Sequence, residues 1–171
     1  MLAAPAPEMA PPALPDGPAE LEAEDDLTGR FTIEGTLQNP LGGAIEVHFI
    51  GVATQAGALT EGTATLALEL RDPSTPDTAG PGFPAPVPID GEGAFIGTVP
   101  DMVVPTHFSD LLRAPANATI ALDGRVQSVD CFAGRVDLAL LDAQVTVTDT
   151  PISLSLEGQF FATREGATCP W

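Results

Sequence analysis

Two histidines, His48 and His107, and two cysteines, Cys131 and Cys169, are the only such side chains in 171 residues, so any chemistry beyond carboxylates runs through them. His107 is followed closely by Ser109 and Asp110. Neighbours within one short turn do not make a catalytic triad, whose roles are assembled in space. The plainer reading of His107 is a polar loop histidine. No G-x-S-x-G elbow is present, and neither cysteine has a recognisable catalytic context.

Glu46 and His48 share one face of an alternating segment and would offer two metal ligands, with His107 as a third. Zinc asks for three or four well-placed nitrogen or sulfur ligands, and the spacing closes no such set. Calcium suits the chain better, because Asp72, Asp77, Asp90 and Glu92 bracket one long loop and calcium takes six to eight oxygens. The bland reading of those four is an acidic, solvated loop. No cofactor other than calcium is called for.

Paired carboxylates could serve a hydrolase or isomerase without leaving any motif. A sugar site is disfavoured, since sugar rings are gripped by Trp and Tyr faces and the chain has one Trp and no Tyr. Phosphate-cradling glycine loops are missing their strand–loop–helix setting. The sequon Asn117-Ala118-Thr119 is short enough to arise by chance.

The two cysteines allow one pairing. A Cys131–Cys169 bond would close a 39-residue loop and tie down a chain end that would otherwise fray. The even count and the adjacent Pro170-Trp171 favour the bond, with the indole lying over it. Such bonds persist outside the reducing cytoplasm.

Charge removes several partners. Lysine is absent, six arginines face 24 acidic residues, and the net charge is −18. Nucleic-acid affinity rests on Lys and Arg neutralising phosphates, so that class is set aside. Anionic membrane surfaces are disfavoured for the same reason. No apolar run is long enough to span a bilayer.

The elements that must position these residues are strands. Residues 1–26 hold six prolines, seven acidic residues and no positive charge, and read as a disordered, extended tether. From Leu27 to Trp171 short alternating runs take over and read as a single domain. Phe31, Ile33 and Leu37 face one way, and Thr32, Glu34 and Thr36 the other. Ile45, Val47 and Phe49 repeat the pattern, as do Leu66, Leu68 and Leu70, and then Ile152, Leu154, Leu156 and Phe160. Period-two alternation marks half-buried antiparallel strands.

Turn signals fall at 39–43, at Asp123-Gly124, at Asp142 and at 149–151, which gives a four-stranded meander after Ala118. One short helical turn is expected near 107–113, ended by Pro115. The fold class is therefore all-β, an antiparallel β-sandwich or small β-barrel of about eight or nine strands.

Residues 71–93 form the one long interruption, stiffened by six prolines. Long loops tend to be functional or disordered. This one reads as a lid or as a docking element for an envelope or protein partner, unless it is mere decoration. Phe83 and Val87 would be exposed unless the loop folds back on the sheet.

An acidic Pro-rich tether ahead of a disulfide-bearing β-domain is the layout of a bacterial envelope or secreted protein whose signal has been removed. Such a tether is compatible with a lipidated residue ahead of it, although no cysteine stands there in this chain. The reading that follows is an extracytoplasmic, non-enzymatic binding or structural module. One alternative is a carrier of a small apolar ligand in a closed barrel, its mouth lined by Phe83, Phe95 or Phe108. The other is a hydrolase or isomerase built on His48 and His107 or on paired carboxylates.

Overall fold

The computed structural model describes residues 26–40, 42–108 and 110–171. The tether expected over 1–26 lies outside these, apart from Asp26. Eight antiparallel strands form one nearly closed, barrel-like sheet: β1 (Gly29–Gln38), β2 (Ala44–Ala56), β3 (Thr65–Arg71), β4 (Val87–Pro88), β5 (Ala94–Val104), β6 (Ala116–Ser128), β7 (Cys131–Ala143) and β8 (Ile152–Arg164). The order β4-β3-β2-β1-β8-β7-β6-β5 pairs neighbours in sequence except β4 and β5, the two edge strands, and sets β1 beside β8. Of the two architectures the alternation allows, the molecule takes the barrel.

The alternation explains the wall. On β1, Phe31, Ile33 and Leu37 point inward and are at most 3% exposed. Their neighbours Thr32 and Glu34 point outward to solvent. The same rule sends Leu66, Leu68 and Leu70 inward from β3, and Leu156 and Phe160 inward from β8. A sheet that keeps this register around its circumference encloses one apolar core.

Both ends of the barrel are stoppered. At the end where β1, β3, β5 and β7 begin, Leu27, Leu59 and Ile89 are fully buried. At the opposite end the stoppers are Leu111, Leu112 and Val145, from the segments that lead into β6 and β8.

Three local expectations are corrected. The helical turn near 107–113 is a short 3-10 turn over Thr106–Phe108. Beyond it the backbone pairs with the segment after β7: Arg113 N–H donates to Gln144 O at 2.8 Å, and Thr146 N–H to Leu111 O at 2.9 Å. Helix competes poorly there because those amides are taken. Second, Asp123-Gly124 is no turn but lies within β6. A Cβ on Gly124 would lie 2.5 Å from the Phe95 ring and 3.0 Å from that of Phe160, so the glycine makes room for aromatic packing. Third, the run from 143 to 149 is not a full strand. Val145 forms only an isolated bridge with Leu112, and three strands rather than four follow Ala116.

The long loop does not stand away from the sheet. Residues 81–89 run along the free edge of β3, with Phe83 N–H donating to Leu68 O and Leu70 N–H to Pro81 O at 2.9 and 2.8 Å. A tight turn then leads into β5, with Asp90 N–H donating to Ala94 O at 3.0 Å. The segment thus fills the seam between β3 and β5. Covering an edge in this way removes a row of unpaired backbone groups.

Candidate functional site

Elements far apart in sequence converge on Arg164, the last residue of β8. Its Nε donates to Asp130 Oδ1 at 2.9 Å, and Nη1 to Thr28 O at 3.0 Å. Its Nη2 donates to Asp26 O and Val129 O at 2.9 and 2.8 Å. The guanidinium also lies over the Phe31 ring, 4.8 Å from its centre. Arginine suits this position, since its planar fork carries five donors and it stacks on rings. The chain leading into β1, the β6–β7 turn and the end of β8 are held together by one side chain. Nothing in the local sequence marks Arg164 beyond its position at the end of a strand. Its chemistry is structural, with Nε, Nη1 and Nη2 all bonded within the fold.

Below Arg164, Phe132 is surrounded by Phe31, Phe95 and Phe160, with ring centres 4.9, 5.8 and 6.2 Å away. Phe95 is therefore a core residue, 2% exposed, rather than part of a mouth. Phe83 is half-buried and packs against the core, its ring directly against Gly97 of β5. Phe108 lies in the 3-10 turn. The expected ligand mouth of Phe83, Phe95 and Phe108 is not formed by Phe83 and Phe95, because one seals the seam and the other fills the core.

The interior is closely packed, and among the described residues it shows two apolar gaps of about 20 Å3 each. The first lies among Ile33, Phe49, Leu122, Val136 and Phe160, and the second among Val104, Leu111, Leu140 and Leu156. Each has room for about one water by volume, whereas ordinary ligand pockets measure several hundred Å3.

The four carboxylates considered for calcium are used separately. Asp72 accepts from Ser74 N–H and Oγ at 2.9 and 2.8 Å, and its Oδ2 lies 3.1 Å from His107 Nε2. Burial raises the Asp72 pKa, but the Ser74 bonds and His107 together outweigh it and hold the carboxyl below its usual value. Asp77 pairs with Arg30 at 2.9 Å, and Glu92 with Arg125 at 3.0 Å. Asp90 accepts the backbone N–H groups of Glu92 and Ala94, both at 2.9 Å, and so shapes the β4–β5 turn. Among the described residues no group of three or more His, Cys, Asp or Glu side chains is placed to hold a metal ion.

Both histidines are exposed at the surface. His48 faces Glu34 across the β1–β2 ladder, with 3.9 Å between Nδ1 and Oε1, and its side chain is 53% exposed. His107 contacts Asp72 from the 3-10 turn and is 58% exposed. Glu46 and His48 share an outer face as read, but the observed neighbour of His48 is Glu34.

The outer wall of β5 to β8 carries a shallow groove of about 260 Å3, lined by Ile96, Asp123, Arg135, Asp137 and Glu157 among others. Asp137 and Glu157 sit directly opposite each other in the β7–β8 register. Like charges so placed repel. The grouping could be found from sequence only with the strand register in hand.

The cysteines bond as expected, Cys131 to Cys169, with Cα atoms 5.8 Å apart. Trp171 packs at a tilt against Phe161, 5.2 Å between ring centres, and its Nε1 donates to Thr163 Oγ1 at 3.3 Å. The indole thus lies beside the bridge, over the strand that pairs with Cys131. Among the described residues no helix is long and apolar enough to cross a membrane.

Comparison of the chain with protein-family models and with curated proteins finds no match.

Proposed function

We propose that this chain is a non-enzymatic binding or structural module of the extracytoplasmic space, secreted or tethered to a bacterial cell envelope. The observation that carries this reading is the filled, doubly stoppered barrel, whose interior gaps of about 20 Å3 leave the outer surface to make contacts. The Cys131–Cys169 bond supports the compartment, since such bonds persist where thiols are not kept reduced. Both histidines are more than half exposed beside a surface carboxylate, which favours a contact role over hydrolysis or isomerisation. The contact surface we assign is the outer side of the 71–93 loop. Its Pro73, Ser74, Thr75, Pro84, Ala85 and Pro86 are exposed, while Phe83, Val87 and Ile89 turn to the seam and the core. A stiff, seam-anchored loop loses little freedom on binding, which is how pre-organisation favours a contact.

The test is photo-crosslinking in the source cells, with a reactive side chain at Thr75 or Ala85 and a control at Glu165. Discrete adducts from the loop positions alone, on protein recovered outside the cytoplasm with no free thiol, are expected. Recovery as a reduced cytoplasmic protein, or equal labelling from all three positions, overturns the reading.

A further inference from the structure

The tail that follows β8 covers a strip of the barrel's outer wall. Cys131 and Ala133 are 4% and 2% exposed, yet neither belongs to the interior core cluster. By alternation with Phe132, which points inward, both face outward on β7. Arg135, the next outward residue of the same strand, is exposed. Cys131 is covered through its own bridge to the tail, and Ala133 lies beside Phe161, whose ring Trp171 packs against. In register, Cys131 pairs with Thr163 and Ala133 with Phe161, the two β8 residues that Trp171 touches.

We propose that residues 165–171 are a redox-held strap, released from the wall by a dithiol reductant while the barrel stays folded. β8 is laddered to β1 on one side and β7 on the other before the strap begins. No residue after Ala162 contributes to the core cluster. Besides the disulfide and Trp171, the strap is tied by Glu165 N–H to Arg30 O at 3.1 Å and by Ala167 N–H to Arg164 O at 3.0 Å. Both ties lie at its first turn and leave the last four residues dependent on Cys169 and Trp171.

The chemistry is ordinary exchange. A thiolate of the dithiol attacks Sγ of Cys169, the half-exposed partner, and the S–S bond breaks with its electron pair leaving on Sγ of Cys131. The second thiol of the reductant then displaces Cys169 from the mixed disulfide. The reductant ends as an internal disulfide, and both cysteines end as thiols after taking up two protons. Release uncovers Thr163 and the Phe161 ring, so an oxidised and a reduced molecule present different outer walls.

The chain's single Trp and lack of Tyr make Trp171 emission a direct reporter. The purified protein is treated with a dithiol, and reduction is verified by a gain of two hydrogens in intact mass. A red-shifted Trp171 emission with unchanged far-ultraviolet circular dichroism is expected, and Cys169→Ser should show both features without reductant. Emission that stays at the oxidised wavelength in fully reduced protein overturns the proposal. So does loss of the β-sheet signal on reduction, which would make the bond a staple of the whole fold.

Discussion

The Arg164 guanidinium stands 4.8 Å over the Phe31 ring while its nitrogens bond Asp130, Thr28, Asp26 and Val129. One side chain therefore joins the aromatic floor of the barrel to two stretches of chain that are remote from it in sequence. Its side chain is 22% exposed, so solvent only partly replaces those bonds when it is removed. Arg164→Ala should lower stability by about 2–4 kcal/mol, in the range for losing a hydrogen-bonded network. Arg164→Lys keeps the charge but not the fork, and should recover less than half of the loss. Urea unfolding of the three proteins checks this. Equal stability of Arg164→Lys and the wild type would show that charge alone matters.

Gly97 lacks the side chain that its inward position on β5 would carry, and the Phe83 ring occupies the space. A Cβ there meets the ring of a residue that bonds β3 through its own backbone. Gly97→Val should lift Phe83 and open the seam, costing about 1–3 kcal/mol as overpacking does. Hydrogen exchange should then speed up at Phe83 and Leu70, whose amides tie residues 81–89 to β3, and leave β7 and β8 protected. Uniform acceleration across the sheet would contradict a local seam.

The wall was legible in the sequence because a half-buried strand writes its two faces in alternate residues, as Phe31, Ile33 and Leu37 do against Thr32 and Glu34. The disulfide was legible because two cysteines leave one pairing. Asp123-Gly124 misled because a glycine needed by the Phe95 and Phe160 rings looks the same as a glycine needed by a turn. The run around Val145 alternates like a strand, but its buried valine serves as a stopper. The candidate site was the least legible part. Asp72, Asp77, Asp90 and Glu92 are near one another in sequence, yet each has its own partner, and Arg30 and Arg125 come from other strands to meet two of them. Arg164 was missed because three of its four hydrogen bonds go to backbone carbonyls, which leave no trace in residue type, and the carboxylate of the fourth, Asp130, belongs to a turn remote in sequence.

Glu69 ties the loop to β3, accepting from Arg71 Nε at 2.7 Å and from Gly80 N–H at 2.8 Å. The Arg71 hydrogen bond is the main influence, and with the Gly80 bond it outweighs burial and holds the carboxyl below its ordinary 4.5. A depressed folded-state pKa contributes stability that is present above the unfolded value and is lost as pH falls through the folded one. The stability gap between wild type and Glu69→Gln should therefore be largest at neutral pH and shrink as pH drops below about 4.5. Denaturant midpoints of both proteins at pH 7 and pH 3 give the comparison. A gap that is the same at both would mean the carboxylate's charge plays no part in holding the loop.

Phe132 is the residue on which the filled core depends, fully buried with three other rings within 6.2 Å. Phe132→Ala should cost about 3–5 kcal/mol, the usual range for emptying a buried aromatic position. The space left is apolar and walled by Phe31, Phe95 and Phe160, so it should stay dry and take up a small apolar guest, as lined cavities of this kind do. A guest such as benzene should then raise the melting temperature of Phe132→Ala and leave that of the wild type unchanged. Binding of the guest by the wild type at comparable strength would mean that its barrel already opens enough to hold one, and would bring back the carrier reading that a filled interior argues against.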